Sequence, residues 1–160
     1  MYICTIMALQ MKKMPDMDEF RVLLKEHGLK STSQRLAVHQ AMMQLGHASA
    51  DMVTEEIKQA GTAKVTVASV YNILSQLALL GIYSHRMSAG SKMFFDVNSY
   101  NHIHLYDIRN HEYRDILDED LMELVESRLN HRRWRGYKVD SIDIQIICHP
   151  TRRRAQCRAQ

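Results

Sequence analysis

The stretch Thr66-Val67-Ala68-Ser69-Val70-Tyr71-Asn72-Ile73-Leu74-Ser75-Gln76-Leu77-Ala78-Leu79-Leu80-Gly81 decides how this chain folds. Its apolar residues Val67, Val70, Leu74, Leu77 and Ala78 recur at three and four positions, the period of one face of a helix. Thr66 stands where an N-terminal cap is needed, and Gly81 where a helix stops. The other face carries Ser69, Asn72, Ser75 and Gln76 with Tyr71 beside them, and no acidic residue occurs from Val65 through Phe95. Exposed helix faces ordinarily mix Glu with Lys. A face of small hydrogen-bonding side chains without carboxylates suits the major groove of DNA instead.

Working outward, the preceding residues read as three short helices. Asp18 to His27 spaces Phe20, Leu23, Leu24 and His27 helically and ends at Gly28. Ser31-Thr32-Ser33-Gln34 offers capping hydroxyls, with Gln34 three residues after Ser31, ahead of Val38, Ala41, Met42 and Leu45, a stripe that stops at Gly46. Ser49 caps a third helix with Val53, Ile57 and Ala60, closed by Gly61. After the fourth helix, 82–87 and 92–97 read as two strands joined by Ser88-Ala89-Gly90-Ser91. Helices followed by a hairpin make a winged helix-turn-helix, with Lys30, Arg35, Lys64, Arg86 and Lys92 placed to contact a DNA backbone.

Beyond residue 98 the pattern changes. Strands are expected at 102–108 and 112–116, a helix at 119–131 carrying Leu121, Leu124, Val125 and Leu129, and a strand at 137–147 whose Val139, Ile142, Ile144 and Ile146 are mostly two apart and give it one apolar face. An α/β unit of about 60 residues buries too little surface to stand comfortably alone, so a second copy is expected to cover it. The fold class is α+β: a winged-helix DNA-binding domain at 1–97, with 1–16 a flexible extension, a hinge at 98–101, a dimerisation domain at 102–150 and a basic tail at 151–160.

The second half also carries chemistry. His102 and His104, two apart, share one face of a strand; Asp96 closes the preceding strand and Asp115 sits in the next. Two imidazoles with carboxylates suit a divalent ion such as Fe(II), Mn(II) or Zn(II), although an isolated His-x-His is more often a solvated strand face. Cys4, Cys148 and Cys157 are too far apart for a disulfide framework or a Cys-x-x-Cys site.

Composition sets broad limits. The 160 residues are 46% hydrophobic and 24% charged, and carry a formal charge of +3. Arg152, Arg153, Arg154 and Arg158 account for that excess, which permits DNA binding without demanding it. No apolar run is long enough to span a membrane, and a cytoplasmic location is expected.

Taken together, Gly28-Leu29-Lys30-Ser31-Thr32-Ser33-Gln34-Arg35, His47-Ala48-Ser49-Ala50, Ala68-Ser69-Val70-Tyr71-Asn72-Ile73-Leu74 and His102-Ile103-His104-Leu105 resemble, in order and spacing, the ferric uptake regulator superfamily of bacterial metal-dependent repressors. The resemblance covers about residues 18 to 150. It implies a homodimeric repressor that binds an AT-rich inverted repeat of DNA and carries one regulatory divalent metal per chain. Its inter-domain ligands fall on His47, Asp96, His102, His104 and Asp115. Asp115, where the iron-uptake branch has Glu, is similar to the peroxide-sensing branch, in which bound Fe(II) reacts with peroxide and a ligand histidine is oxidised.

The departures are informative. Asp107 and Asn110 stand where relatives have the first cysteine pair of a structural zinc site, so no structural Cys4 zinc is expected. Asn101, Ile103, Met122 and Ile142 occupy a secondary metal site and three of them cannot ligate. Asn72 replaces the usual Arg after Tyr71; Asn reads adenine bidentately, which points to a different operator preference. Two alternatives remain open: a haem-responsive regulator using Cys148-His149-Pro150, and a non-haem Fe(II) enzyme built on His102, His104 and one Asp.

Overall fold

The computed structural model describes residues 14–98, 102–139 and 142–151. Residues 1–13 of the expected 1–16 extension, most of the hinge including Asn101, the Arg-rich tail from Arg152 onward, Cys4 and Cys157 lie outside the described residues. The elements run α1 (Met17–Glu26), α2 (Ser33–Leu45), β1 (His47–Ala48), α3 (Ala50–Ala60), α4 (Val67–Leu79), β2 (Ser84–Met87), β3 (Met93–Asp96), β4 (Ile103–Asp107), β5 (Glu112–Ile116), α5 (Glu119–Asn130) and β6 (Ile144–Cys148). They form two compact units, Met1–Arg86 with Met93–Tyr100 and Met87–Lys92 with Asn101–Gln160.

In the first unit, α1 starts at a capping box: Asp16 accepts from the N–H groups of Asp18 and Glu19, while the Glu19 carboxylate accepts from the Asp16 N–H. Phe20 and Leu24 on α1, Val38 and Met42 on α2, Val53 and Ile57 on α3, and Val70, Leu74 and Leu77 on α4 are all buried in one core with Tyr83 and Phe95. Burial of each large side chain is worth about 1.5–3 kcal/mol.

Local details differ from expectation. Of the three capping hydroxyls, Thr32 caps α2 by accepting from Arg35 N–H, whereas Ser49, expected to cap α3, precedes it without a side-chain cap. Val67, expected in the apolar stripe of α4, is 43% exposed because it occupies the first turn, short of the core.

The expected hairpin is present as β2 and β3, and a strand that the sequence did not announce completes the sheet in the order β1-β3-β2. β1 pairs antiparallel with β3, His47 opposite Asp96 and Ala48 opposite Phe95. Gly46 (φ 68°) ends α2 in a backbone conformation that L side chains avoid, and its carbonyl accepts from Val97 N–H, so the chain turns straight from helix into β1.

The second unit is built on a sheet in the order β5-β4-β6. β4 and β5 form an antiparallel hairpin, and β6 runs parallel to β4, Ile103 opposite Ile144 and Leu105 opposite Ile146. The last strand is shorter than the expected 137–147. Val139 lies outside it and is 48% exposed, and Ile146 and Ile147 are exposed as well. On α5, Leu121 and Leu124 face solvent. The β4–β5 turn is organised by Asp107: its Oδ1 accepts from Arg109 N–H and Asn110 N–H, and its Oδ2 accepts from the Asn110 side chain at 2.7 Å. The two residues at the expected positions of a zinc-binding cysteine pair thus hold each other.

Candidate metal centre

Each unit holds buried imidazole and carboxylate side chains of its own. In the first, the β1–β3 register sets His47 beside Asp96, with His47 Nε2 3.1 Å from Asp96 Oδ2 and both side chains buried. Asp96 is fixed by accepting from Asn98 N–H at 2.7 Å and by Arg86, whose guanidinium is 3.5 Å away. Arg86 was expected on the DNA-contacting surface. Its side chain is instead almost fully buried, drawn inward by the Asp96 carboxylate.

In the second unit, strand alternation turns His102, His104 and Tyr106 to one face of β4, and the register sets Asp115 opposite His104. His102 Nε2 is 3.0 Å and His104 Nε2 3.9 Å from Asp115 Oδ1, and the two imidazole centroids are 4.2 Å apart. One ligand atom each from His102, His104 and Asp115 lies within 4.8 Å of the others. Two ligands bound to one ion at about 2.1 Å stand about 3 Å apart when adjacent and about 4.2 Å when opposite. The 3.0 and 3.9 Å imidazole–carboxylate separations fall within that range. Nitrogen with carboxylate oxygen is the donor set that borderline divalent ions take, so the residues fit a metal.

The rest of this face is polar and connected. The Gln145 side-chain N–H donates to Tyr113 Oη at 2.8 Å, across β4, and the Tyr113 ring presents an edge-on contact to His104. Asp143, just before β6, brings Oδ1 to 3.4 Å from His104 Nδ1. The sequence reading missed Asp143. Its only available signal was parity, since 143 and 145 share a strand face.

Of the residues expected to meet DNA, Lys30, Tyr71, Asn72 and Gln76 are exposed, and Ser69 and Ser75 are half-buried. Ser69 is engaged in a capping box with Thr66, and Gln76 Oε1 accepts from Arg35, which also donates to the Lys30 carbonyl. Tyr71 leans edge-on against Phe95. Of the α4 side chains expected to meet DNA, Tyr71 and Asn72 are exposed and not engaged in the helix cap or the Arg35 contact.

Comparison with curated proteins found no match. Among solved structures, the Vibrio cholerae ferric uptake regulator is 22% identical and superposes with a TM-score of 0.69, covering 82% of this chain and 99% of that one. The Helicobacter pylori ferric uptake regulator is 20% identical, with a TM-score of 0.67 and coverage of 88% and 95%. The Campylobacter jejuni peroxide stress regulator is 24% identical, with a TM-score of 0.59 and coverage of 82% and 96%. These likenesses establish the α+β architecture of helical winged domain followed by α/β domain. The pattern of the ferric uptake regulator family matches residues 26–147, most of the chain. That family consists of transcription regulators, which removes the enzyme reading of the two-His-one-carboxylate arrangement. This chain belongs to the ferric uptake regulator family and is a metal-responsive transcription regulator.

Proposed function

We propose that the protein is a dimeric, cytoplasmic repressor in which His47, Asp96, His102, His104 and Asp115 hold one divalent ion, Fe(II), Mn(II) or Zn(II), per chain. The observation that carries this reading is the ligand-like spacing of His102, His104 and Asp115 on one buried sheet face. The His47–Asp96 pair at 3.1 Å is the same chemistry in the first unit. By ligating the same ion as the second-unit trio, His47 and Asp96 would restrict the angle between the units, and hence the spacing of the two α4 helices of a dimer on an inverted repeat of DNA. Tyr71, Asn72 and Ser75 would meet base edges, Lys30 and Lys64 the phosphates, and Ser69 and Gln76 would hold the helix and its neighbours while lying at the same surface. Exposed Leu121, Leu124, Ile146 and Ile147 supply apolar surface for the partner subunit.

The test is to measure Mn(II) affinity and operator affinity together. His104→Ala should lose metal binding and metal-dependent DNA binding at once. His47→Ala should keep weaker metal binding through the remaining ligands and lose the metal-dependent gain in DNA affinity, because the ion is then less well tied to the winged helix. Equal operator binding in chelator and in Mn(II) would refute the regulatory role. Asp115, shorter than Glu, supports a peroxide-sensing variant of this reading. It predicts that peroxide releases the Fe(II) protein from DNA but not the Mn(II) protein, with one oxygen added to a histidine-bearing peptide.

A further inference from the structure

We propose that Asp143 is a positioning residue for metal binding, acting through His104; the inference rests on His104 being a ligand, as proposed above. The parallel β4–β6 register sets Gln145 opposite His104 and Ile144 opposite Ile103. Asp143, two residues before Gln145, therefore falls on the face that carries His102 and His104. Its Oδ1 lies 3.4 Å from His104 Nδ1, while Asp115 Oδ1 lies 3.9 Å from Nε2 of the same ring. The His104 imidazole thus stands between two carboxylates, one toward each nitrogen.

A neutral imidazole has one lone pair to give to a metal and one N–H to give to an acceptor. With the Nε2 lone pair directed to the side shared with His102 and Asp115, the proton belongs on Nδ1, facing Asp143. The 3.4 Å contact is an ion-pair distance without hydrogen-bond geometry; with a metal on Nε2, a small adjustment would let the carboxylate accept from Nδ1, favour that tautomer, hold the ring's orientation and raise the basicity of the ligating nitrogen. The Tyr113 edge contact, itself held by Gln145, restrains the same ring from another side. Asp143 is 51% exposed, so its substitution opens no cavity in the core.

The experiment uses the full chain and Mn(II) alone as the probe, with Asp143→Ala, Asp143→Asn, His104→Ala, the Asp143→Ala/His104→Ala double variant, and Glu123→Ala on exposed α5 as a charge control. Asp143→Ala should weaken Mn(II) binding by about 10–100-fold. Asp143→Asn, which keeps an oxygen acceptor, should recover part of the loss, and Glu123→Ala should leave the affinity unchanged. In the His104→Ala background the Asp143 substitution should have less than about a twofold further effect, the signature of a residue that acts through its neighbour. The Co(II)-loaded Asp143→Ala protein at saturating metal should show an altered visible spectrum, which a purely structural role would not produce. Circular dichroism without metal checks that each variant is folded, and the Asn variant carries the test should the Ala variant not fold. An undiminished affinity in Asp143→Ala, or an equal loss with and without His104, overturns the assignment. If wild type and His104→Ala differ as expected while the Asp143 variants do not, only the role of Asp143 falls. If wild type takes up no Mn(II), the metal reading falls and takes this one with it.

Discussion

Removing the imidazole of His39 should loosen the winged-helix unit in a pH-dependent way, by an amount that the local geometry sets. His39 is fully buried on α2, stacked on Phe20 of α1 with ring centroids 3.9 Å apart and planes 12° from parallel. Its Nε2 is 2.9 Å from the Pro15 carbonyl and its Nδ1 2.7 Å from Tyr83 Oη. A carbonyl only accepts, so Nε2 carries the proton and Nδ1 accepts from the tyrosine hydroxyl. Burial raises the Tyr83 pKa, which keeps that O–H a donor. His39→Leu leaves the buried Tyr83 hydroxyl without its acceptor, at about 1–3 kcal/mol, and loses the aromatic stack, at about 0.5–1.5 kcal/mol. The expected loss at neutral pH is about 2–4 kcal/mol.

The pH dependence has a definite sign. Burial lowers the His39 pKa below its ordinary 6.5, against smaller opposing effects of hydrogen bonding to Pro15 and Asp16 and the Asp16 charge. The unfolded chain then binds the proton more readily, so the stabilisation is full above pH 6.5 and is lost as pH falls below it. Between pH 7.5 and 5.5 the unfolded-state histidine accounts for at most ~1.4 kcal/mol. Hydrogen exchange of the α1 and α2 amides, compared between wild type and His39→Leu at each pH, reports on this unit. The wild-type advantage should shrink on acidification. An advantage that stays constant between the two pH values, or grows at pH 5.5, would refute the buried neutral tautomer.

Three further outcomes are expected. Tyr71→Ala and Asn72→Ala should each relax base preference by about 1–3 kcal/mol, whereas Lys30→Ala should weaken binding to all sequences alike and flatten its salt dependence; a uniform loss in all three would remove α4 from the groove. The proposed dimer should survive strong chelator with its fold intact, since Asp107 and Asn110 stand where the resemblance would place a cysteine pair; sedimentation showing monomers after chelation would contradict this. Asp107→Ala, which removes the acceptor for the turn, should speed exchange of the Arg109 and Asn110 amides while leaving α1 to α4 unaffected, and unchanged exchange at those amides would deny the turn its organising role.

Much of the architecture was legible because it rests on local periodicity. The stripes on α1 to α4, the glycines that end them and the alternation in β4 each depend on residues a few positions apart. What escaped were features fixed by partners distant in sequence. β1 is two residues long and has no periodicity of its own; it exists because β3 offers it hydrogen bonds. The shortened β6 is likewise set by its pairing with β4 and not by its own apolar pattern. Arg86 reads as a surface cation until Asp96 is found to draw it inward.

The candidate site divides along the same line. The donor types, the shared strand face of His102 and His104, and the carboxylate-free character of α4 could be read before any fold was known, since composition and a period of two or 3.6 suffice for each. Folding was needed to reveal that His47 meets Asp96 across a β1–β3 pair, that Ser69 and Gln76 are engaged by Thr66 and Arg35, and that Asp143, just before β6, faces His104. The physical reason is that strand register and hydrogen-bond partnership join residues many positions apart, and no local pattern carries that information.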